Sequence, residues 1–357
     1  MLALEDLNHA QSVYTARHSV IDVMARPGEP MYEVATAALA EPPETPLTPT
    51  EVFDLILPSH GAGGPARYEL LERADARIAA AAADHAATSP YSFNLRLTTL
   101  GMRRVLHEEE YHPSNYAMDS IFVVPGGANR TSIVRRHVAT QAMRAINVNG
   151  PMYQFGSNKV VPPVRTDGSA NPEHNLLRSL APDFLPEDAF TQFDANLATA
   201  QQQGYEIMAD TKNADQLPAT SPTPIFRRAI ILHHPDAEAF PDLSLIEPFE
   251  PTFEGGLDAV RSFEEFLDRP LAGRRILVAT NGQYRPVAEL QALEWADAAG
   301  VEMRLPHAFG DEPGDTMPYQ GRTFTTAERS PLTYFQEMAA LGRRLSSPLI
   351  QQLLATA

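Results

Sequence analysis

Short apolar runs that end at a glycine turn, each followed by apolar residues at helical spacing, organise the later part of the chain. The clearest run covers residues 121–124 and stops at Pro125, Gly126 and Gly127, where the backbone can turn tightly. Asn129 or Thr131 can cap a helix after this turn. Its apolar face is marked by Ile133, Val134, Val138 and Ala142. The order of strand, turn and helix predicts one unit of a parallel α/β sheet.

A second unit of the same kind lies near the carboxyl end. Residues 274–281 predict a strand, 282–286 a turn, and 287–299 a buried helix. Further apolar runs predict strands at 145–148, 229–232 and 301–305, and two last helices at 327–341 and 345–354. We therefore predict an α/β fold with a mainly parallel sheet and flanking helices.

The chain before the first unit has helical rather than strand periodicity. Helices are predicted at 4–24, 68–87 and 93–107, and the proline-rich stretch 40–50 predicts an exposed connection. We predict a helical N-terminal region over 1–115 and an α/β domain over 116–357. Residues 152–186 show little periodicity, which indicates a long irregular insertion around 151–225.

Composition narrows the class of protein. The 357 residues are 43% hydrophobic and 20% charged, which is typical of a globular protein with an ample core. The chain has no cysteine, which excludes disulfides and thiolate metal sites. We see no secretory signal and no apolar stretch of membrane-spanning length, so we expect a cytoplasmic protein without a membrane partner. A net charge of −17 argues against nucleic acid as a partner.

Candidate ligand-binding residues lie in the turns after the predicted strands. Open parallel sheets bind ligands outside the carboxyl ends of their strands, where helix N-termini offer free N–H groups. The candidates are Gly126, Gly127, Asn129 and Arg130 at the first turn, Asn149 and Gly150 at the second, and Thr280, Asn281, Gln283, Tyr284 and Arg285 at the last.

Two interpretations of these turns remain open. Arginine forks grip phosphate or carboxylate, while tyrosine, asparagine and glutamine orient a sugar or a base. These residues therefore predict a small anionic molecule as the ligand. Alternatively, Arg130 and Arg285 only cap helices or pair with neighbouring carboxylates, and the glycines only turn the chain.

Acid–base and metal chemistry have weaker signals. His233 and Asp236 follow the strand predicted at 229–232 and are our candidate catalytic groups. His and Glu at 107–112 and the pair at 233–234 have the residue types of metal ligands, but no set has a characteristic metal-binding spacing. We predict no metal site, and the sequence identifies no cofactor.

Three stretches resemble a known family: VVPGGANRTSIVRR, INVNG and ILVATNGQYRPVAELQALEWADAAGVEMRLP. They are similar to the plan of the SanA/YdcF-like family of small Rossmann-like proteins, over about half the chain. The resemblance implies a Rossmann-like fold and a nucleotide or S-adenosylmethionine as ligand. It also implies roles for Gly126, Gly127 and Arg130 at the first turn, Gly150 at the second, and Thr280, Tyr284 and Arg285 at the last.

Two functional hypotheses follow. The first is a hydrolase or transferase that binds a nucleotide or phosphorylated small molecule, with arginines and glycine-turn N–H groups stabilising negative charge. The second is a non-catalytic sensor of a nucleotide or S-adenosylmethionine that uses the same crevice. No nucleophile elbow, Walker motif, HExxH or complete GxGxxG is present to decide between them. The sequence sets no oligomeric state.

Overall fold

A computed structural model describes residues 4–39, 41–57, 65–103, 120–126, 131–146, 150–211, 225–319 and 321–355. These residues form an α/β structure with a seven-stranded mixed sheet and helices on both of its faces. The α/β fold with a mostly parallel sheet is therefore confirmed. Among the described residues, no helix combines the length and the apolar character needed to cross a membrane.

The strands are β1 (Ser120–Val124), β2 (Met152–Phe155), β3 (Val160–Val161), β4 (Phe190–Thr191), β5 (Glu206–Asp210), β6 (Phe226–His233), β7 (Leu243–Pro248), β8 (Arg275–Asn281), β9 (Arg304–Asp311), β10 (Thr316–Tyr319) and β11 (Arg322–Thr325).

The α-helices are α1 (Leu4–Met24), α2 (Pro30–Thr36), α3 (Pro49–Ile56), α4 (Pro65–Thr88), α5 (Pro90–Thr99), α6 (Thr131–Ala145), α7 (Pro172–Leu180), α8 (Gln192–Gln202), α9 (Phe253–Phe266), α10 (Arg285–Ala298), α11 (Pro331–Leu345) and α12 (Pro348–Ala355). A single 3-10 turn, Gly282–Tyr284, joins β8 to α10.

The sheet has the order β5-β6-β7-β2-β1-β8-β9. Five neighbouring strands, β7, β2, β1, β8 and β9, are parallel, whereas β6 is antiparallel to both β7 and β5. Taken in chain order, the parallel strands lie in the sequence 3-2-1-4-5. The direction of winding therefore reverses between β1 and β8, and a crevice opens at their carboxyl ends.

Both faces of the central strand are buried. Ile121 and Val123 of β1 pack in the core formed with α9 and α10. Phe122 and Val124 point to the other face, into the core shared with α6 and α8. Because a strand buried on both faces needs apolar residues at every position, its sequence is a continuous apolar run.

A helical layer shares a third core with α10. Ile21 of α1 and Phe53 of α3 belong to the same buried cluster as Leu290 of α10 and Phe335 of α11. The cluster thus packs residues of the predicted N-terminal region, 1–115, against residues of the predicted α/β domain, 116–357.

Polar contacts also attach α1 to the sheet. The Asp6 carboxylate accepts hydrogen bonds from Arg304 Nε at 2.9 Å and from the Leu305 backbone N–H at 2.7 Å. Because Leu305 belongs to β9, these bonds fix the start of α1 against an edge strand of the sheet.

Several element boundaries differ from the sequence predictions. The strand predicted at 145–148 is wrong at its start, because α6 runs to Ala145; residues 147–149 lie outside the described part of the chain, and the next described strand is Met152–Phe155. Ala145 and Ile146 fit a helix end as well as a strand. The strand predicted at 301–305 begins instead at Arg304, and the last two helices separate at 346–347 rather than at 342–344. The predicted irregular stretch 152–186 contains β2, β3 and α7.

Close packing of α9 on β2 depends on Gly256. A Cβ at this position would lie 2.2 Å from Phe155 Cε2 and 2.4 Å from its Cδ2. Both residues are buried, so the aromatic ring has little room to move. The absence of a side chain at Gly256 lets the start of α9 approach the carboxyl end of β2.

We predict that Gly256→Ala destabilises the protein by roughly 1–3 kcal/mol through overpacking. Chemical denaturation of both proteins measures the difference. In a Phe155→Ala background the same substitution should cost nothing or stabilise the protein, because alanine is favoured over glycine in a helix by about 1 kcal/mol. An equal cost in both backgrounds would contradict the contact.

A buried charge network connects α1, α10 and β9. Arg17 Nη1 lies 2.7 Å from Glu289 Oε2, and Glu289 Oε1 lies 3.4 Å from His307 Nδ1. Burial would raise the pKa of Glu289, but Arg17 and His307 hold it below its usual value. Burial lowers the pKa of His307 to about 4, against the attraction of Glu289.

We predict that stability falls as pH falls from about 6.5 to 4. In this window His307 of the unfolded chain takes up a proton that the folded protein does not bind, so acid favours unfolding. The loss should be on the order of 1–2 kcal/mol, because the ring is partly solvent-exposed and screened. Denaturation midpoints measured across this range should show a smaller slope for His307→Gln. His9→Gln, at an exposed position of α1, is the control and should keep the wild-type slope.

Candidate functional site

The candidate site lies at the carboxyl ends of β1 and β8. From β1 the chain passes to α6 on one face of the sheet, and from β8 it passes to α10 on the other. The two helices that follow these strands therefore lie on opposite faces of the sheet. Pro125 and Gly126 end the first strand, and Asn281 ends the second.

Arg135 connects the two strand ends. Its Nη1 donates to the carbonyl oxygens of Pro125 at 3.2 Å and Gly126 at 2.8 Å. Its Nε and Nη2 donate to Asn281 Oδ1 at 3.3 and 3.1 Å. A guanidinium has five N–H donors, so this geometry holds the group firmly and leaves one N–H for another acceptor.

The charge of Arg135 has no carboxylate partner among the described residues. Burial lowers its pKa to about 10, and the positive charge of Arg329 acts in the same direction, whereas Tyr284 and Asp311 oppose the shift. The guanidinium is therefore still protonated at neutral pH. It is half-buried rather than sealed from solvent.

Asp311 stabilises the opposite side of the crevice. Its Oδ1 accepts hydrogen bonds from Asn281 Nδ2 at 3.2 Å and from the Gly282 backbone N–H at 3.1 Å. Its Oδ2 accepts one from Thr326 Oγ1 at 3.0 Å. Arg135, Asn281 and Asp311 thus form a continuous polar chain across the ends of β1, β8 and β9.

A pair of glycines permits this contact between β8 and β9. A Cβ on Gly282 would lie 2.4 Å from the Asp311 carbonyl oxygen, and a Cβ on Gly310 would lie 2.5 Å from Gly282 Cα. The two backbones can approach closely only without side chains here. The Asp311 carboxylate then reaches the Gly282 N–H.

Two hollows open at the carboxyl edge of the sheet, and Gly126 lines the larger of the two. One, of about 50 Å³, is lined by residues that include Thr131, Asn281, Asp311 and Arg329. The other, of about 190 Å³, lies over the ends of β2 and β7 and is lined by residues that include Ser157 and Thr252, the N-cap of α9. Both hollows lie at the carboxyl edge of the sheet, on either side of the β1 turn.

The structure places part of the predicted set at this edge. Thr280, Asn281 and Gln283 are buried there, and Tyr284 is half-buried close to Arg135. Arg285 is buried, pairs with Glu312 at 2.9 Å and donates to the Gly282 carbonyl oxygen at 3.3 Å. These contacts match the alternative interpretation, in which this arginine supports neighbouring elements. Gly127, Asn129, Arg130 and Asn149 lie outside the described residues.

The other predicted residues lie at the opposite edge. Gly150 precedes β2 instead of following a strand, so it lies at an amino end. Because β6 is antiparallel to β7, its last residues lie beside the start of β7, with Leu232 opposite Leu243. His233 and Gly150 line a cleft of about 1000 Å³ at this amino edge. The expectation that they share a crevice with Gly126 and Asn281 is wrong, because the strand directions place the two sets of residues at opposite edges of the sheet.

His233 and Asp236 do not form a pair. His233 Nδ1 lies 2.8 Å from Asp242 Oδ1, and both side chains are well exposed, at 42% and 63%. Asp236 Oδ1 accepts a hydrogen bond from the Ala239 backbone N–H at 3.0 Å, which stabilises a turn. The two candidate catalytic groups therefore have separate partners, far from the Arg135 network.

Sequence reasoning missed Arg135, Asp311, Thr326 and Arg329 as site residues. A helical side chain leans toward the N-terminus of its helix, so an arginine in the second turn can reach back to the preceding strand end. That rule indicates Arg135 as a candidate in addition to Arg130, the arginine of the predicted turn. Asp311 is the last residue of β9 and follows Gly310. A polar residue after a glycine at a strand end also indicates a candidate site residue.

No group of three or more potential metal ligands occurs within the described part of the chain.

Comparisons of the sequence with protein-family models and with curated proteins, and of the structure with solved structures, found no match. The argument for a function therefore rests on the geometry of the crevice.

We predict that Asp311→Ala destabilises the protein by roughly 2–4 kcal/mol. The substitution leaves the Asn281 amide and the Gly282 N–H without their acceptor, and it removes the negative charge closest to Arg135 along the polar chain. Chemical denaturation measures the loss. Thr326→Val removes a single bond and should cost about 1 kcal/mol. If both variants lost the same small amount of stability, Asp311 would contribute no more than a single hydrogen bond, which would contradict the prediction.

Proposed function

We propose that the crevice between β1 and β8 binds a nucleotide or another phosphorylated small molecule. The observation that carries this proposal is the half-buried guanidinium of Arg135, which spans two strand ends and pairs with no described carboxylate. A cation held in this way favours an anionic partner, because charge interactions strengthen as water is excluded.

Two further positive charges support an anion at this edge, and one negative charge opposes it. Arg329 lines the same hollow, and its positive charge acts on Arg135. Thr131 begins α6, whose N-terminus adds partial positive charge. Asp311 opposes them, but its hydrogen bonds to Asn281, Gly282 and Thr326 already occupy its oxygens. The balance in the crevice is positive although the whole chain is acidic.

The topology supports the same location. A Rossmann-like interpretation of the sheet rests on the order 3-2-1-4-5 of its parallel strands, and sheets of this class bind ligands where the winding reverses. Under the resemblance to the SanA/YdcF-like family, Gly126, Thr280 and Tyr284 would belong to the same site. Fold alone does not specify a reaction.

Binding is better supported than turnover. Hydrolysis or transfer needs an acid–base group within hydrogen-bond reach of the reacting atoms. The groups assigned to that role from the sequence, His233 and Asp236, lie at the amino edge of the sheet. We therefore place the sensor hypothesis first and keep the hydrolase or transferase hypothesis second, to be tested by assaying each ligand that binds for product formation.

We predict that a nucleotide or sugar phosphate raises the thermal stability of the protein, by about 2.7 kcal/mol at a hundred times its dissociation constant. Arg135→Met should reduce this stabilisation strongly, because the cation that faces the ligand is lost. Thermal-shift titrations with nucleotides, sugar phosphates and S-adenosylmethionine measure the effect, and titration calorimetry gives the dissociation constants.

Arg77→Met provides a matched control. Arg77 is an exposed residue of α4, so its loss removes the same charge from a surface unrelated to the crevice. It should leave ligand stabilisation unchanged. If Arg135→Met and Arg77→Met respond to a binding ligand alike, the crevice is not the anion site.

A further inference from the structure

A second cavity, of about 340 Å³, lies on the α6 and α8 face of the sheet. Residues of α6 form one wall, the end of α8 and the following turn form another, and the hairpin strand β10 closes one side. Its lining includes Arg136, His137, Arg144, Gln203, Tyr205 and Tyr319.

Arg136 is buried in the wall of this cavity, with only 2% of its surface exposed. Its Nη1 donates to Gln154 Oε1 at 3.0 Å and to the Asn196 carbonyl oxygen at 3.5 Å, and its Nη2 donates to Thr199 Oγ1 at 3.3 Å. All three acceptors are neutral. Its Nε is buried and has no hydrogen-bond partner among the described residues.

The charge of Arg136 therefore has no counter-ion among the residues that the structure describes. No described carboxylate forms an ion pair with it, and burial lowers its pKa, with only the hydroxyls of Tyr205 and Tyr319 acting in the other direction. A buried cation without a partner is costly, and proteins usually pair such groups. Arg144 adds further positive charge to the same lining.

A second buried group points to a ligand with a donor. Gln203 Oε1 is buried without a hydrogen-bond partner in the described structure. An anion alone would not satisfy this oxygen, because it needs an O–H or N–H group. A molecule that carries both an anionic group and a hydroxyl would satisfy Arg136 and Gln203 together, once the Gln203 amide turns toward the cavity.

We propose that this cavity is a second binding site, for a small hydroxylated organic anion such as a sugar phosphate or a hydroxy acid. Its anionic group neutralises Arg136, and its hydroxyl donates to Gln203 Oε1. The inference does not depend on the crevice, since Arg135 and Arg136 project from α6 about 100° apart. Arg135 faces the ends of β1 and β8, whereas Arg136 faces α8 and β2.

His137 supplies a local probe of occupancy. It lines the cavity, and burial lowers its pKa, with Asp315 opposing that shift and Arg144 adding to it. An anion bound beside it should raise the pKa of His137 by about half a unit or more. The imidazole NMR signal, assigned with His137→Gln, reports this change without any assay of activity.

The experiment uses the full chain, and the His137 signal confines the readout to this cavity rather than to the crevice. Glycerol 3-phosphate and inorganic phosphate are titrated while the pKa of His137 is followed. We expect glycerol 3-phosphate to raise this pKa in a saturable way and to bind more tightly than inorganic phosphate. Adding Arg136→Met should abolish the effect, and adding Gln203→Ala should weaken glycerol 3-phosphate by about tenfold while sparing inorganic phosphate.

Two outcomes would overturn the inference. In the first, the pKa of His137 stays constant up to saturating concentrations of both probes and of a hydroxy acid, lactate. In the second, the folded Arg136→Met variant binds as tightly as its parent. If Arg136→Met does not fold, the Gln203→Ala comparison and the parent titration decide the question, since neither removes the buried charge.

Discussion

The crevice at the carboxyl edge of the sheet depends on the hydrogen bonds of one half-buried cation. Arg135 donates to the turn after β1 and to Asn281 at the end of β8. Asn281 in turn donates to Asp311 at the end of β9. Three adjacent strand ends are therefore fixed by one polar chain, and the geometry of the crevice depends on it.

The rest of the fold supplies the conditions for this chain. Gly282 and Gly310 allow β8 and β9 to approach, and Gly256 allows α9 to pack on the end of β2. The helical layer anchors α10 from outside through the ion pair of Arg17 with Glu289. Because the groups that line the crevice stand on strand ends and helix starts, regular secondary structure fixes their positions.

The sequence predicted the central strands well because burial on both faces leaves a continuous apolar run in β1 and β8. It missed β2, whose second half contains Gln154, a buried polar residue that accepts a hydrogen bond from Arg136. The site was predicted only in part. Asn281 was found because it ends a clear strand, whereas its bond to Arg135 joins residues 146 positions apart. No local pattern encodes a contact of that separation, and the edge on which His233 lies depends on the antiparallel direction of β6.

Two adjacent arginines of α6 thus lie in different environments. Arg135 reaches the crevice at the reversal of the sheet, and Arg136 enters the interface with α8. Neither forms an ion pair with a carboxylate in the described structure, although the whole chain carries a net charge of −17. Each of these two enclosed positions therefore holds a positive charge within an acidic chain.

A crystal structure of the protein with a phosphorylated ligand that stabilises it would test the central claim most directly. We predict density for the phosphate between the ends of β1 and β8, within about 3 Å of the Arg135 guanidinium. Density instead in the amino-edge cleft between Gly150 and His233, with the crevice empty, would contradict the account.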